Sequence, residues 1–234
     1  NMEEQNVARN TVEEVYALIE ADLLEAEANL PDNNTAQPGR PTIWMAKTLL
    51  SDVLLTTQRY QEARDKAQEV ISSNLFSLVP IQTVDDFEKI FGVGAGVTKE
   101  EIFHFKYSRE EQGNYYPFII NHPSTGYLGD KGAYAQYGDS TSTFYKGWND
   151  GDLRKALWYP LEFGLGKNTL LQKKFIDPQA ANEYGAINDF PLYRYPEVLL
   201  IFAEADARVN GETPDALEAV NKVKRRSYGL AIGA

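Results

Sequence analysis

The 234-residue sequence contains no cysteine and only two histidines, His104 and His122. The first absence excludes disulfides, thiolate nucleophiles and zinc–sulfur centres. The second leaves too little material for a histidine metal site or a catalytic triad, so neither a metal nor a cofactor is expected. Positive charge is scarce as well: 23 Lys and Arg stand against 34 Asp and Glu, a formal charge of −11. Nucleic-acid binding needs a basic stripe that displaces phosphate counterions, and no such partner is expected. No apolar run approaches the ~20 residues that span a bilayer. The opening Asn1-Met2-Glu3-Glu4-Gln5 is polar, unlike a signal peptide. What the chain has in quantity is aromatic side chains, with 14 Tyr, 11 Phe and 3 Trp.

Helical periodicity dominates both ends. Over 11–30, Val12, Val15, Tyr16, Ile19, Leu23, Ala26 and Leu30 recur at steps of three and four, and Thr11 with Glu14 forms a capping box. Turn residues from Pro31 to Arg40 end that helix. A helix over 41–57 carries Trp44, Leu49, Leu50, Val53 and Leu54. Another over 60–73 carries Ala63, Ala67, Val70 and Ile71. Regularity returns over 192–209, stopped by Asn210-Gly211, and over 214–228, where Thr213 caps and Pro214 opens the helix. Between these ends, 84–91 allows one or two helical turns and 101–107 resembles a short strand.

The two hairpins share a pattern. Leu50, Leu54, Ala63, Ala67 and Val70 recur as Ala203, Ala207, Ala216, Val220 and Val223 with identical offsets of 4, 9, 4 and 3. Small residues at this spacing admit a neighbouring helix in tetratricopeptide repeats, whose period is about 34 residues. The first helix offers Ile19, Leu23 and Ala26 at the same 4 and 3. The expected fold is mainly all-α: tetratricopeptide-like helical hairpins with a long, irregular, loop-rich insertion. The boundaries are 1–74 for the first helices, 75–190 for the insertion and 191–234 for the closing hairpin. Long insertions in a rigid scaffold usually carry function.

The insertion also holds the aromatics, 15 of the 28 falling between Phe103 and Phe163. Such rings either pin loops onto the helices or stack on the apolar face of a sugar, with amides and carboxylates taking its hydroxyls. Trp148 lies between Lys146-Gly147 and Asn149-Asp150-Gly151, a polar setting that favours stacking. The candidate ligand-binding residues are Trp148, Tyr145, Asn149, Asp150 and Tyr137. Trp158, Tyr159 and Trp44 have apolar neighbours and belong to the core. No catalytic residue is assigned. Asp139, Asp150, Asp152 and Glu162 are the carboxylates that any acidic chain places near aromatics. Gly164 to Thr169 fails the phosphate-loop spacing, because Leu161 stands where the first glycine would have to be. Arg194, Glu197 and Glu204 are expected to form buried structural ion pairs.

Several blocks, in order along the chain, resemble the SusD/RagB family. They include Gly39-Arg40-Pro41, Tyr60-Gln-Glu-Ala63, Glu101-Ile-Phe, Gly151-Asp-Leu-Arg154 and Lys174-Phe175. The most specific runs from Asp189 through Arg194 and Tyr195-Pro-Glu to Ala205, closing with Ala216 to Arg225. The resemblance implies a surface glycan-binding lipoprotein of Bacteroidetes, at the extracellular face of the outer membrane. Its implied role is non-catalytic capture of oligo- or polysaccharide for a SusC-like, TonB-dependent β-barrel transporter. Membrane association is then only through a lipid anchor outside this chain. Family members are about twice as long, so the chain is expected to be a fragment lacking N- and C-terminal parts. The alternative is a peptide- or protein-binding RagB-like member, or a helical-repeat adaptor that uses the hairpin concavity.

Overall fold

A computed structural model describes residues 8–33, 35, 37–110, 113–162, 164 and 166–233. Phe163, at the edge of the aromatic stretch, and Leu165, in the glycine loop, lie outside the described residues. The chain runs α1 (Val12–Asn29), α2 (Ile43–Thr56), α3 (Tyr60–Ser72) and a short α4 (Glu88–Phe91). Next come β1 (Glu101–Phe105), α5 (Tyr116–Ile120), β2 (Tyr127–Asp130), β3 (Gly138–Asp139) and α6 (Thr143–Gly147). β4 (Trp158–Pro160), β5 (Thr169–Gln172) and β6 (Phe190–Arg194) precede α7 (Tyr195–Asn210) and α8 (Pro214–Ser227).

The helix ends follow local chemistry. Thr11 and Glu14 close the capping box of α1 through bonds of 2.8 and 3.2 Å. Thr213 Oγ1 accepts from the Ala216 amide at 3.1 Å, and Pro214 opens α8. Gly211, at φ 76°, ends α7 in backbone that a side chain would strain. α7 starts at Tyr195, three residues later than its periodicity suggests. Residues 190–194 are instead claimed by β6, which pairs antiparallel with β1.

The hairpins, distant in sequence, are neighbours in space: α3 packs between α2 and α7. Ala63, fully buried, shares a cluster with Leu23, Leu50, Leu54 and Ala205. Ala67 and Val70 join Val198, Phe202, Ala216 and Val223 in the adjoining one. The expected mainly helical scaffold is thus the observed one, with three corrections to its inward faces. Ala207 and Val220 are exposed, and α8 uses Ala219 in Val220's place. Among the described residues nothing packs on that side of the last hairpin. Val12 and Val15 are also exposed, since the apolar residues turned inward here are Tyr16, Ile19, Leu23 and Ala26 of α1 and Leu30 at its C-cap.

Because Ala63 is fully buried among larger side chains, Ala63→Trp is expected to destabilise by about 1–3 kcal/mol, with Ala216→Trp similar. At this chain length each kcal/mol lowers the melting midpoint by about 2–4 °C. Unchanged midpoints in both variants would contradict the tight contact.

The segment between the hairpins has its own apolar cluster, in which Phe91, Phe175, Ile120 and Leu157 meet. β3, β5 and β4 form a small antiparallel sheet beside it. Among the described residues, no helix is long and apolar enough to cross a membrane.

Candidate functional site

The aromatic stretch is shaped by α6 and the turn after it. Ser142 caps α6, its Oγ accepting from the Tyr145 amide at 3.2 Å. Asn149 Oδ1 accepts from the Gly151 amide at 2.8 Å and closes the following turn. This brings Asp152, 3% exposed, under the indole of Trp148, whose Nε1 donates to its carboxylate at 3.0 Å. Arg154 donates to the same carboxylate through Nε at 2.9 Å and through Nη2 at 2.5 Å. Burial alone would raise the Asp152 pKa, but the bonds from Arg154 and Trp148 outweigh it and hold the carboxyl below its ordinary range. An ionised carboxylate therefore fixes both the indole and the guanidinium.

Phe144 sits four residues before Trp148, one helical turn away. Its ring is 78% exposed and lies 5.5 Å from the indole, tilted by 57°. The two rings and Arg154 wall an open hollow of about 660 Å³. Trp148 and Arg154 also border a second, tighter hollow of about 250 Å³, which reaches Trp158, Gln172 and Lys174. Trp158 and Gln172 in turn border a third, of about 410 Å³, at Tyr137 and Tyr116. Gly138 of β3 lies against the Trp158 ring, where a Cβ would come within 3.4 Å. Shared wall residues place the three hollows side by side, as a track from Phe144 to Tyr137.

The residues singled out in the sequence divide along this track. Trp148 is half-buried and central, and Tyr137 is exposed at the far end. Tyr145 does not face the indole. Its half-buried ring lies beneath the Lys155 ammonium, 4.8 Å from the centroid. Asp150 binds that same ammonium at 2.6 Å, and Asn149 is occupied in its turn. Phe144, Arg154 and Gln172 were not singled out, and Trp158 borders the hollows rather than lying in the core. The i, i+4 spacing of Phe144, Trp148 and Asp152 is the signal that could have found the ring pair.

The ion pairs differ from expectation too. Glu197 and Glu204 are exposed, and Arg194 reaches Glu100 instead. Glu100 is fully buried and also accepts from Arg226 Nη1 at 2.8 and 3.0 Å and from the Val79 amide at 2.9 Å. Elsewhere Glu101, His104 and Asp189 offer donor atoms within 4.8 Å of one another. Lys106 Nζ lies 2.8 Å from both carboxylates and takes the cation's place there.

Known proteins share this fold. The sequence profile of the SusD family matches residues 130–230, a range that holds Phe144, Trp148, Arg154 and Trp158 but not Tyr116. The SusD-like protein P2 of Formosa agariphila is 28% identical over 255 residues, covering 94% of this chain and 48% of its own. A SusD superfamily protein from Parabacteroides distasonis superposes with a TM-score of 0.73 at 25% identity, covering 97% of this chain and 52% of its own. Surface glycan-binding protein A from Bacteroides thetaiotaomicron, solved in complex with laminarihexaose, shares the fold with a TM-score of 0.74 at 20% identity. It covers 93% of this chain and 55% of its own. The chain therefore spans about half the length of the relatives it matches. The profile match over residues 130–230, the 28% identical relative and the shared fold agree in making this chain similar to the SusD/RagB family.

Proposed function

We propose that the chain is part of a non-catalytic, surface-exposed glycan-binding protein that captures oligo- or polysaccharide for a TonB-dependent outer-membrane transporter. The observation that carries this is the ring pair Phe144–Trp148, anchored by Asp152 and flanked by Arg154 on an open hollow. Rings supply stacking surface for a sugar face, and the guanidinium that Asp152 fixes supplies a hydroxyl partner. The region 75–190 is the ligand-bearing one on this reading. Similarity to the SusD family supports the transporter partnership and the extracellular face of the outer membrane, and the laminarihexaose complex of a structural relative supports an oligosaccharide ligand.

Hydrolysis would need a carboxylic acid held protonated near neutral pH beside an ionised one. Asp152 and Asp139 are both pushed the other way, by Arg154 and Trp148 against burial in one case and by Thr141 in the other. Glu101 is raised by burial, but Lys106 occupies it.

A glycan array followed by calorimetric titration tests the reading. Trp148→Ala is expected to weaken binding about tenfold, the ~1–2 kcal/mol of a lost aromatic platform, with the fold retained. Equal affinities would reject the platform.

A second reading, a peptide- or protein-binding RagB-like member, is favoured by exposed apolar side chains on helix faces, Leu18 and Leu24 of α1 and Leu217 and Val220 of α8. Leu217→Glu separates the two. It leaves glycan binding intact on the first reading and abolishes peptide binding on the second.

A further inference from the structure

The middle hollow has an unusual lining for a chain of charge −11. Four cationic side chains, Arg154, Lys174, Arg194 and Arg226, border it, against the single carboxylate of Glu197. Three of the four already have partners: Asp152 holds Arg154, and Glu100 is shared by Arg194 and Arg226. Lys174 differs. Its ammonium rests over the faces of Phe91, at 4.2 Å, and Phe175, at 5.5 Å, and forms no ion pair among the described residues. Arg226 is 95% buried as a side chain, being 5% exposed, and its Nε has no hydrogen-bond partner. The first turn of the 16-residue helix α7 borders the same space through Pro196 and Glu197, adding the positive end of its dipole.

We propose that this hollow receives the anionic substituent of an acidic saccharide, a uronate carboxylate or a sulfate ester, against Lys174 and Arg154, with the sugar ring held between Trp148 and Trp158. The inference rests on the glycan-binding reading and names the class of sugar for it. A volume of about 250 Å³ lies below that of a drug-sized pocket and suits one substituted ring rather than an oligomer. A half-buried cation without a counter-charge is disfavoured, and an incoming anion offsets that cost. The net negative charge of the chain does not forbid it, because charges beyond about 8 Å are screened at physiological salt while those lining the hollow are not. Burial, with Arg194 nearby, pushes the Lys174 pKa down to about 8. An anion would restore it, so binding should weaken as pH rises through that value. The charged groups that border the hollow with Lys174 are Arg154, Arg194, Arg226 and Glu197.

The test is calorimetric titration with trigalacturonate, its methyl ester, a sulfated galactan oligosaccharide, its desulfated form and laminarihexaose. It uses the wild type and Lys174→Gln, at pH 7 and pH 9. We expect trigalacturonate to bind at least tenfold more tightly than its uncharged ester if the carboxylate is the group read. If the sulfate is read, the same preference should separate the sulfated galactan from its desulfated form. The preference should collapse towards one in Lys174→Gln and fall at pH 9 in the wild type. The wild-type comparison stands alone should Lys174→Gln fail to fold. Equal affinity for charged and uncharged forms, or binding of laminarihexaose alone, overturns the proposal and leaves glycan binding in place. Binding of no saccharide at all overturns both.

Discussion

Glu100→Ala is expected to destabilise the fold by about 3–5 kcal/mol, because it strands the buried guanidinium of Arg226 and the half-buried one of Arg194 at once. Glu100 is fully buried and accepts from Arg194, Arg226 and the Val79 amide. These three partners come from the end of β6, from α8 and from the loop after α3, so one carboxylate ties the aromatic region to both ends of the scaffold. Removing it leaves Arg226 5% exposed without a counter-charge and the Val79 amide without an acceptor. Denaturant titration at pH 7 measures the loss. A change below 1 kcal/mol would mean that water reaches the guanidiniums and that the network is peripheral. The argument concerns breaking the network. Replacing all its members with well-packed apolar residues could cost much less.

Acid should weaken the wild type between pH 6.5 and 4.5, with His104 responsible for much of the loss. His104, 4% exposed on β1, is held neutral by burial, with Lys106 and Arg194 adding to the effect, and its pKa falls to about 3. Its Nε2 has no partner, and its Nδ1 lies 3.6 Å from Glu101. The sign follows from proton counting. Below its ordinary pKa of 6.5 the unfolded chain takes up a proton that the folded chain refuses, so stability falls as pH falls. At 1.36 kcal/mol per pH unit the contribution is roughly 2–3 kcal/mol by pH 4.5. His104→Phe removes the titrating group and should flatten that part of the profile. A profile as steep as the wild type's would show that His104 is protonated in the fold. Glu101, Lys106 and Asp189 surround the same point, and all three remain in the variant.

The long helices were legible because each carries redundant local signals. α1 has a capping box and a 3–4 apolar rhythm, and α8 has a capping threonine, a first-turn proline and Ala216 in register with Ala63. The start of α7 was misplaced because Phe190 to Arg194 are as apolar as the helix they precede. Their fate is decided by pairing with β1, some 90 residues earlier. Offset matching placed the two hairpins together but could not say that Ala207 and Val220 face open space, since that depends on what packs beyond the last hairpin.

The site was less legible for the same kind of reason. Trp148 could be singled out from its polar neighbours, yet its anchor Asp152 looked like any other carboxylate of an acidic chain. Tyr145 stood three residues away and seemed a natural partner. The short helix α6 rotates Tyr145 towards Lys155 and leaves Phe144 beside the indole instead. The cationic hollow gathers Arg154, Lys174, Arg194 and Arg226 from four separate stretches of chain, which no local pattern reports.

The central claim is that the rings on α6 and its following turn hold a saccharide. The most direct measurement is calorimetric titration of wild type and Phe144→Ala/Trp148→Ala with the best ligand from a glycan array, beside a thermal melt of each. The account predicts a saturable wild-type isotherm, a loss of at least tenfold in the double variant, and melting midpoints within a few degrees of each other. Equal affinities with both proteins folded would contradict it.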